Sequence, residues 1–93
     1  MPDRFQISCI NKTNLSSPFE RISHVGGTSG GNRWKLKLSD AIKFIEIGKY
    51  AFYTSLGGHV RNVIVASRNG TKYLKTESDH DTPDNLLSLP ECQ

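Results

Sequence analysis

Apolar and polar residues alternate along much of the chain, the period-2 signature of strands with one buried face. Phe5, Ile7 and Cys9 alternate with Arg4, Gln6 and Ser8, which predicts a first strand over Arg4 to Ile10 with Cys9 on its apolar side. Asn11 to Pro18 is crowded with short polar side chains that compete for backbone hydrogen bonds, so it predicts a loop. An extended pattern resumes over Phe19 to Val25 and stops at Gly26-Gly27-Thr28-Ser29-Gly30-Gly31, read as a flexible turn. Trp34, Leu36 and Leu38 then alternate with Arg33, Lys35 and Lys37, giving an extended segment with one apolar and one strongly basic face. From Leu38 the period lengthens: Leu38, Ala41, Ile42 and Ile45 follow helical spacing, Ser39 suits an N-cap, Asp40 suits the positive end of the dipole and Gly48 suits a stop. A helix over Ser39 to Ile47, laid on the sheet, is expected.

Two further strands follow. Tyr50, Phe52, Thr54 and Leu56 alternate with Ala51, Tyr53 and Ser55, and Gly57-Gly58 breaks them from the β-branched run His59 to Ser67. Asn69-Gly70 is the strongest local signal, since a type I′ turn needs positive φ at both central residues, so Thr71 to Thr76 should pair back antiparallel. Thr82-Pro83-Asp84-Asn85 supplies an N-cap, a proline at the first helical position and an acidic first turn for a short helix over Pro83 to Ser88. The fold class expected is α+β: an antiparallel sheet of four to five strands packed on one helix, with a short C-terminal helix. With 93 residues the chain is expected to form a single domain over 1–93.

Charge adds a division that the net +3 conceals. Residues 1–75 carry all twelve Lys and Arg against four acids, net +8, whereas 76–93 hold five acids and no base, net −5. The body is basic and the C-terminal segment acidic, which suits either a partner-facing tail or a strap folded back on the body. No apolar run is long enough to span a bilayer and Met1-Pro2-Asp3-Arg4 leads into no signal-peptide core, so a cytoplasmic protein is expected. Cys9 and Cys92 stand at opposite ends of the chain, and a lone pair in a cytosolic protein is expected to be reduced.

The sequence argues against an enzyme. Gly26 and Gly31 have the spacing of a phosphate-binding loop, but Asn32 and Arg33 stand where Lys and Ser or Thr should follow. His24, His59, His80, Cys9 and Cys92 show no paired ligand spacing, so no metal is expected, and Asp79, Asp81 and Asp84 lack the glycine and the bidentate glutamate of a calcium loop. No serine or cysteine is placed with a histidine by spacing, and five of nine acids crowd the tail. No catalytic residue and no cofactor are expected. What remains is a basic surface: Arg33, Lys35, Lys37, Arg61, Arg68, Lys72 and Lys75 could form one stripe that neutralises phosphates, with Tyr53 or Tyr73 stacking on unpaired bases and Trp34 in the core.

Phe5 to Lys12, Glu20 to Gly27, the Asn69 to Thr76 hairpin and Asp81 to Cys92 together resemble a family of small bacterial and phage proteins of unknown function, over almost the whole chain. Its phage-borne members are the basis for a narrower resemblance, to anti-CRISPR proteins that inhibit type I surveillance complexes. That likeness implies an inhibitor that docks on Cas protein subunits and guide RNA of the ribonucleoprotein and blocks target DNA binding, its basic residues toward RNA and its acidic tail toward a basic subunit. The alternative expectation is a free-standing bacterial nucleic-acid-binding module.

Overall fold

The computed structural model describes residues 3–13, 21–68, 70–77 and 84–92. Among the described residues, seven strands and two helices follow one another as β1 (Asp3–Gln6), β2 (Cys9–Lys12), β3 (Ile22–Ser29), β4 (Asn32–Lys37), α1 (Leu38–Glu46), β5 (Tyr50–Leu56), β6 (His59–Arg68), β7 (Thr71–Thr76) and α2 (Asp84–Leu87). The α+β class holds, but the strands divide into a four-stranded sheet in the order β1-β5-β6-β7 and a three-stranded sheet in the order β2-β3-β4. The β1–β5 pair is parallel and the other pairings are antiparallel.

The division begins inside the first predicted strand. The Ile7 N–H still donates to the Tyr53 carbonyl of β5, 2.8 Å, whereas the Ser8 N–H already donates to the Gly26 carbonyl of β3, 2.9 Å. The chain therefore changes sheets at Ile7–Ser8, and its alternation resets there. Ile7 and Ile10, three apart, are both fully buried, and Cys9 turns outward rather than joining Phe5 and Ile7 on the apolar side. Strand β6 makes a similar handover: His59 to Asn62 pair with β5, and Val63 to Arg68 pair with β7. The core between the sheets gathers Ile7, Ile10, Ile22, Val25, Phe52, Val63 and Leu74 with Ala41 and Ile42 of α1.

The helix begins at Leu38, one residue before the expected start, and its N-cap lies two residues before the Ser39 that the capping pattern predicts. Lys37 is the N-cap, without a side-chain cap bond, because β4 runs straight into the helix. The glycine run is only partly a turn: Gly30 and Gly31 make it, with φ +57° and +83°, but Gly26 and Gly27 lie inside β3. A methyl on Gly27 would overlap the Gln6 carbonyl and press on the Trp34 indole, and one on Gly26 would meet both cysteine sulfurs. These two glycines serve close packing rather than flexibility. The predicted strand over Phe19 to Val25 is observed from Ile22, and residues 14–20 lie outside the described residues. Asn69 also lies outside them, but Arg68 pairs with Thr71 and Gly70 has φ +82°, the register of a two-residue hairpin.

The end of the acidic segment folds back. Leu86 and Leu89 sit in the core, each burial contributing about 1.5–3 kcal/mol. The Ile10 N–H donates to Pro90 and the Cys92 N–H donates to Ile10, so Pro90 to Cys92 runs alongside β2. Cys9 and Cys92 are joined in a disulfide, against the expectation of free thiols. Their separation of 83 residues hid the pairing, which follows from the strap along β2.

Candidate functional site

Strand β4 is an edge of the three-stranded sheet. Its register places Arg33 opposite Thr28, Lys35 opposite Gly26, and Lys37 opposite His24. Cys9 and Asn11 continue the last two rows on β2. Arg33, Lys35 and Lys37 are all exposed and share the outer face of that sheet, at successive spacings of about 6.6 Å set by strand rise. A shallow groove of about 390 Å³ runs beside them, lined by Arg33, Lys35, Thr28, the disulfide and Glu91. Among the described residues that line it, Glu91 is the one acid, so Arg33 and Lys35 face one carboxylate there.

The opposite face of β4 carries Trp34 and Leu36. Trp34 lies 5.6 Å from Phe52 and 5.8 Å from Phe5 between ring centroids, and Tyr50 lies 5.3 Å from Phe5. These four rings border a second cavity of about 280 Å³, almost wholly apolar, with Ser29, Asn32 and Arg33 at its rim. Arg33 thus lines both the basic groove and the aromatic cavity. Trp34 Nε1 is buried and has no hydrogen-bond partner. Lys49 Nζ stands 5.4 Å from the Tyr50 ring centroid and 5.3 Å from Phe44.

The seven cations predicted as a stripe are distributed over two sheets. Arg33, Lys35 and Lys37 form one row. Arg61 is half-buried on β6 and donates to the Val60 carbonyl. Arg68 is exposed at the hairpin end of β6, and Lys75 is half-buried on β7. Lys72 bridges Glu46 of α1 at 2.6 Å. By strand parity Lys72 and Lys75 face opposite sides of the hairpin. Tyr73, a candidate for stacking, is buried, and Tyr53 is half-buried with the Arg4 guanidinium 4.7 Å from its ring centroid. Sequence reading missed the cavity formed by Phe5, Tyr50 and Phe52 with Trp34, since alternating aromatics in adjoining strands read equally as core.

Among the described residues no three His, Cys, Asp or Glu side chains are grouped to hold a metal ion, and no helix is long and apolar enough to cross a membrane. His24 is half-buried, its Nδ1 2.9 Å from the Ser23 hydroxyl.

Fold and site define a small two-sheet α+β domain with a basic edge strand over an aromatic cavity. The chain belongs to a family described as protein of unknown function (DUF3892), whose model matches residues 6–90. No curated protein and no solved structure matches the chain.

Proposed function

We propose that the protein is a non-catalytic binding module for single-stranded nucleic acid, which lies along β4 with its phosphates on Arg33, Lys35 and Lys37 and one base at the aromatic cavity. The carrying observation is Arg33, which borders both the basic groove and the cavity of Trp34, Phe5, Tyr50 and Phe52. A nucleotide presents that pairing of chemistries, an anionic phosphate next to a flat aromatic ring. Alternate positions of a strand match the repeat of an extended single strand, and base–aromatic stacking is tolerant of sequence. An inhibitor of that kind needs its acidic tail available to a basic subunit. Leu86, Leu89 and Cys92 of that tail are tied to the body, which favours the free nucleic-acid module over the surveillance-complex inhibitor.

The test is titration of a labelled oligothymidine by fluorescence anisotropy, read together with the emission of Trp34, the chain's single tryptophan. Binding should weaken as salt rises and should quench the indole. An Arg33→Glu/Lys35→Glu/Lys37→Glu variant, checked by circular dichroism, should bind at least tenfold more weakly. If the wild-type protein fails to bind at low salt, or the folded variant binds as well as wild type, the reading is wrong.

A further inference from the structure

A third cavity lies in the other sheet, at the β5–β6 hairpin. Gly57 and Gly58 make its two-residue turn, with φ +56° and +82°. Leu56 pairs with His59 and Thr54 with Arg61, so these four side chains share one face of the hairpin. They line a cavity of about 170 Å³ together with Asn85 of α2, whose amide Nδ2 donates to the Thr76 hydroxyl at 2.8 Å.

Two features of this cavity call for a ligand. Thr54 is fully buried and its hydroxyl has no hydrogen-bond partner. A buried hydroxyl left unpaired costs about 1–3 kcal/mol, and such groups in folded proteins are rarely without a water, ion or ligand. Arg61 is half-buried, its guanidinium donates to the Val60 carbonyl at 3.3 Å, and no carboxylate pairs with it among the described residues. A guanidinium has five donors and no acceptor, which leaves most of them for something else. None of the described residues lining the cavity is acidic. The volume exceeds the roughly 30 Å³ share of one water several times over, room for a small anion and its hydration.

The geometry points to a binding site for a small tetrahedral oxyanion of the phosphate type, held by the Arg61 guanidinium and the Thr54 hydroxyl with His59 at the mouth. Arginine suits this role because its planar fork meets two oxygens of one phosphate at once. The site is separate from β4 and does not depend on the function proposed above. Phosphate of this chemistry comes either free in solution or as the terminal group of a nucleic-acid strand.

The experiment uses the full chain and inorganic phosphate, followed by amide chemical shifts and by calorimetry, with chloride at equal ionic strength as the control. Phosphate should bind saturably and shift the resonances of Thr54, His59 and Arg61. Arg61→Gln and Thr54→Val should each weaken it at least tenfold. Thr54→Val should keep or raise the melting temperature in phosphate-free buffer, because it removes an unpaired buried hydroxyl. A structural role for that hydroxyl would lower it instead. An Arg33→Ala/Lys35→Ala variant should bind phosphate as wild type does. Comparing 5′-phosphorylated with 5′-hydroxyl oligonucleotides separates the sources: a preference lost in Arg61→Gln assigns a strand terminus, and its absence alongside saturable phosphate binding assigns the free ion. The proposal is overturned if tens of millimolar phosphate produce no more shift than chloride, if folded Arg61→Gln and Thr54→Val bind unchanged, or if the β4 variant abolishes the effect.

Discussion

Strands β4 and β7 both end their sheets and both carry lysines, yet they use them in opposite ways. On β4 the cations fall at every second position, so Arg33, Lys35 and Lys37 share one exposed face. On β7, Lys72 and Lys75 are three apart and must point to opposite sides; one bridges Glu46 and the other is half-buried. Their surroundings differ as well. The β4 row faces the outside of a thin sheet, whereas α1 brings a carboxylate to the β7 side. A count of basic residues treats the two strands alike. Parity and neighbours decide which row stays exposed together on one face.

The comparison breaks most severely where the β4 sheet is tied down. The strap along β2 and the Cys9–Cys92 disulfide hold that sheet from its far edge, and the bridge closes nearly the whole chain into one loop. Replacing both cysteines by serine should lower stability by about 2–5 kcal/mol in denaturant titration. Native-state hydrogen exchange should accelerate in β2 and β3 before it does in β6 and β7. Uniform acceleration across both sheets would show that the strap supports the molecule as a whole. Gly27→Ala should come next, at about 1–3 kcal/mol, because the added methyl runs into the Gln6 backbone, which cannot move aside as a side chain could.

The charge rows themselves separate next. Neutralising Arg33, Lys35 and Lys37 to alanine should weaken oligothymidine binding about tenfold or more, equivalent to 1.4 kcal/mol. It should also make the logarithmic salt dependence shallower by about 2, three single-strand phosphate contacts at roughly 0.7 each. Arg68→Ala/Lys75→Ala, on β6 and β7, should leave that slope within experimental error of wild type. Equal slopes lost from both rows would restore the single stripe and erase the contrast between the strands.

Local pattern made most of the elements legible and left their arrangement hidden. The 3.6-residue spacing of Leu38, Ala41, Ile42 and Ile45 located α1, and Asn69-Gly70 located the β6–β7 hairpin, because both signals act within a few residues. The two-sheet division escaped detection since it depends on Ile7 and Ser8 bonding to strands 46 and 18 residues further on, a choice that alternation does not encode. Gly26 and Gly27 read as a turn because glycine's tolerance of unusual φ is its commonest signal, whereas here the requirement is for room beside sulfur, indole and carbonyl. Of the site, the row on β4 was legible from parity alone. Its union with Phe5, Tyr50 and Phe52 was not, since those rings come from β1 and β5, strands distant from β4 in the sequence.

The smallest effect is expected at the contact that most distinguishes β7 from β4. Lys72 and Glu46 make a 2.6 Å ion pair, but their side chains remain 54% and 43% exposed. Water and counterions screen such a pair, and ordering two long side chains costs entropy that offsets the attraction, so exposed pairs contribute about 0.2–1 kcal/mol. Lys72→Ala should therefore lower stability by less than 1 kcal/mol, and a double-mutant cycle with Glu46→Ala isolates the coupling from the loss of either side chain alone. The coupling should shrink when the cycle is repeated at 1 M salt, where the screening length falls to about 3 Å. Glu46→Ala tests the charge argument from the other side, by releasing Lys72 from its partner. The freed lysine should still add little to oligothymidine binding, because it lies in a different sheet from the β4 row. A gain in affinity comparable to the loss from neutralising β4 would mean that pairing, rather than strand parity, had kept β7 out of the interface.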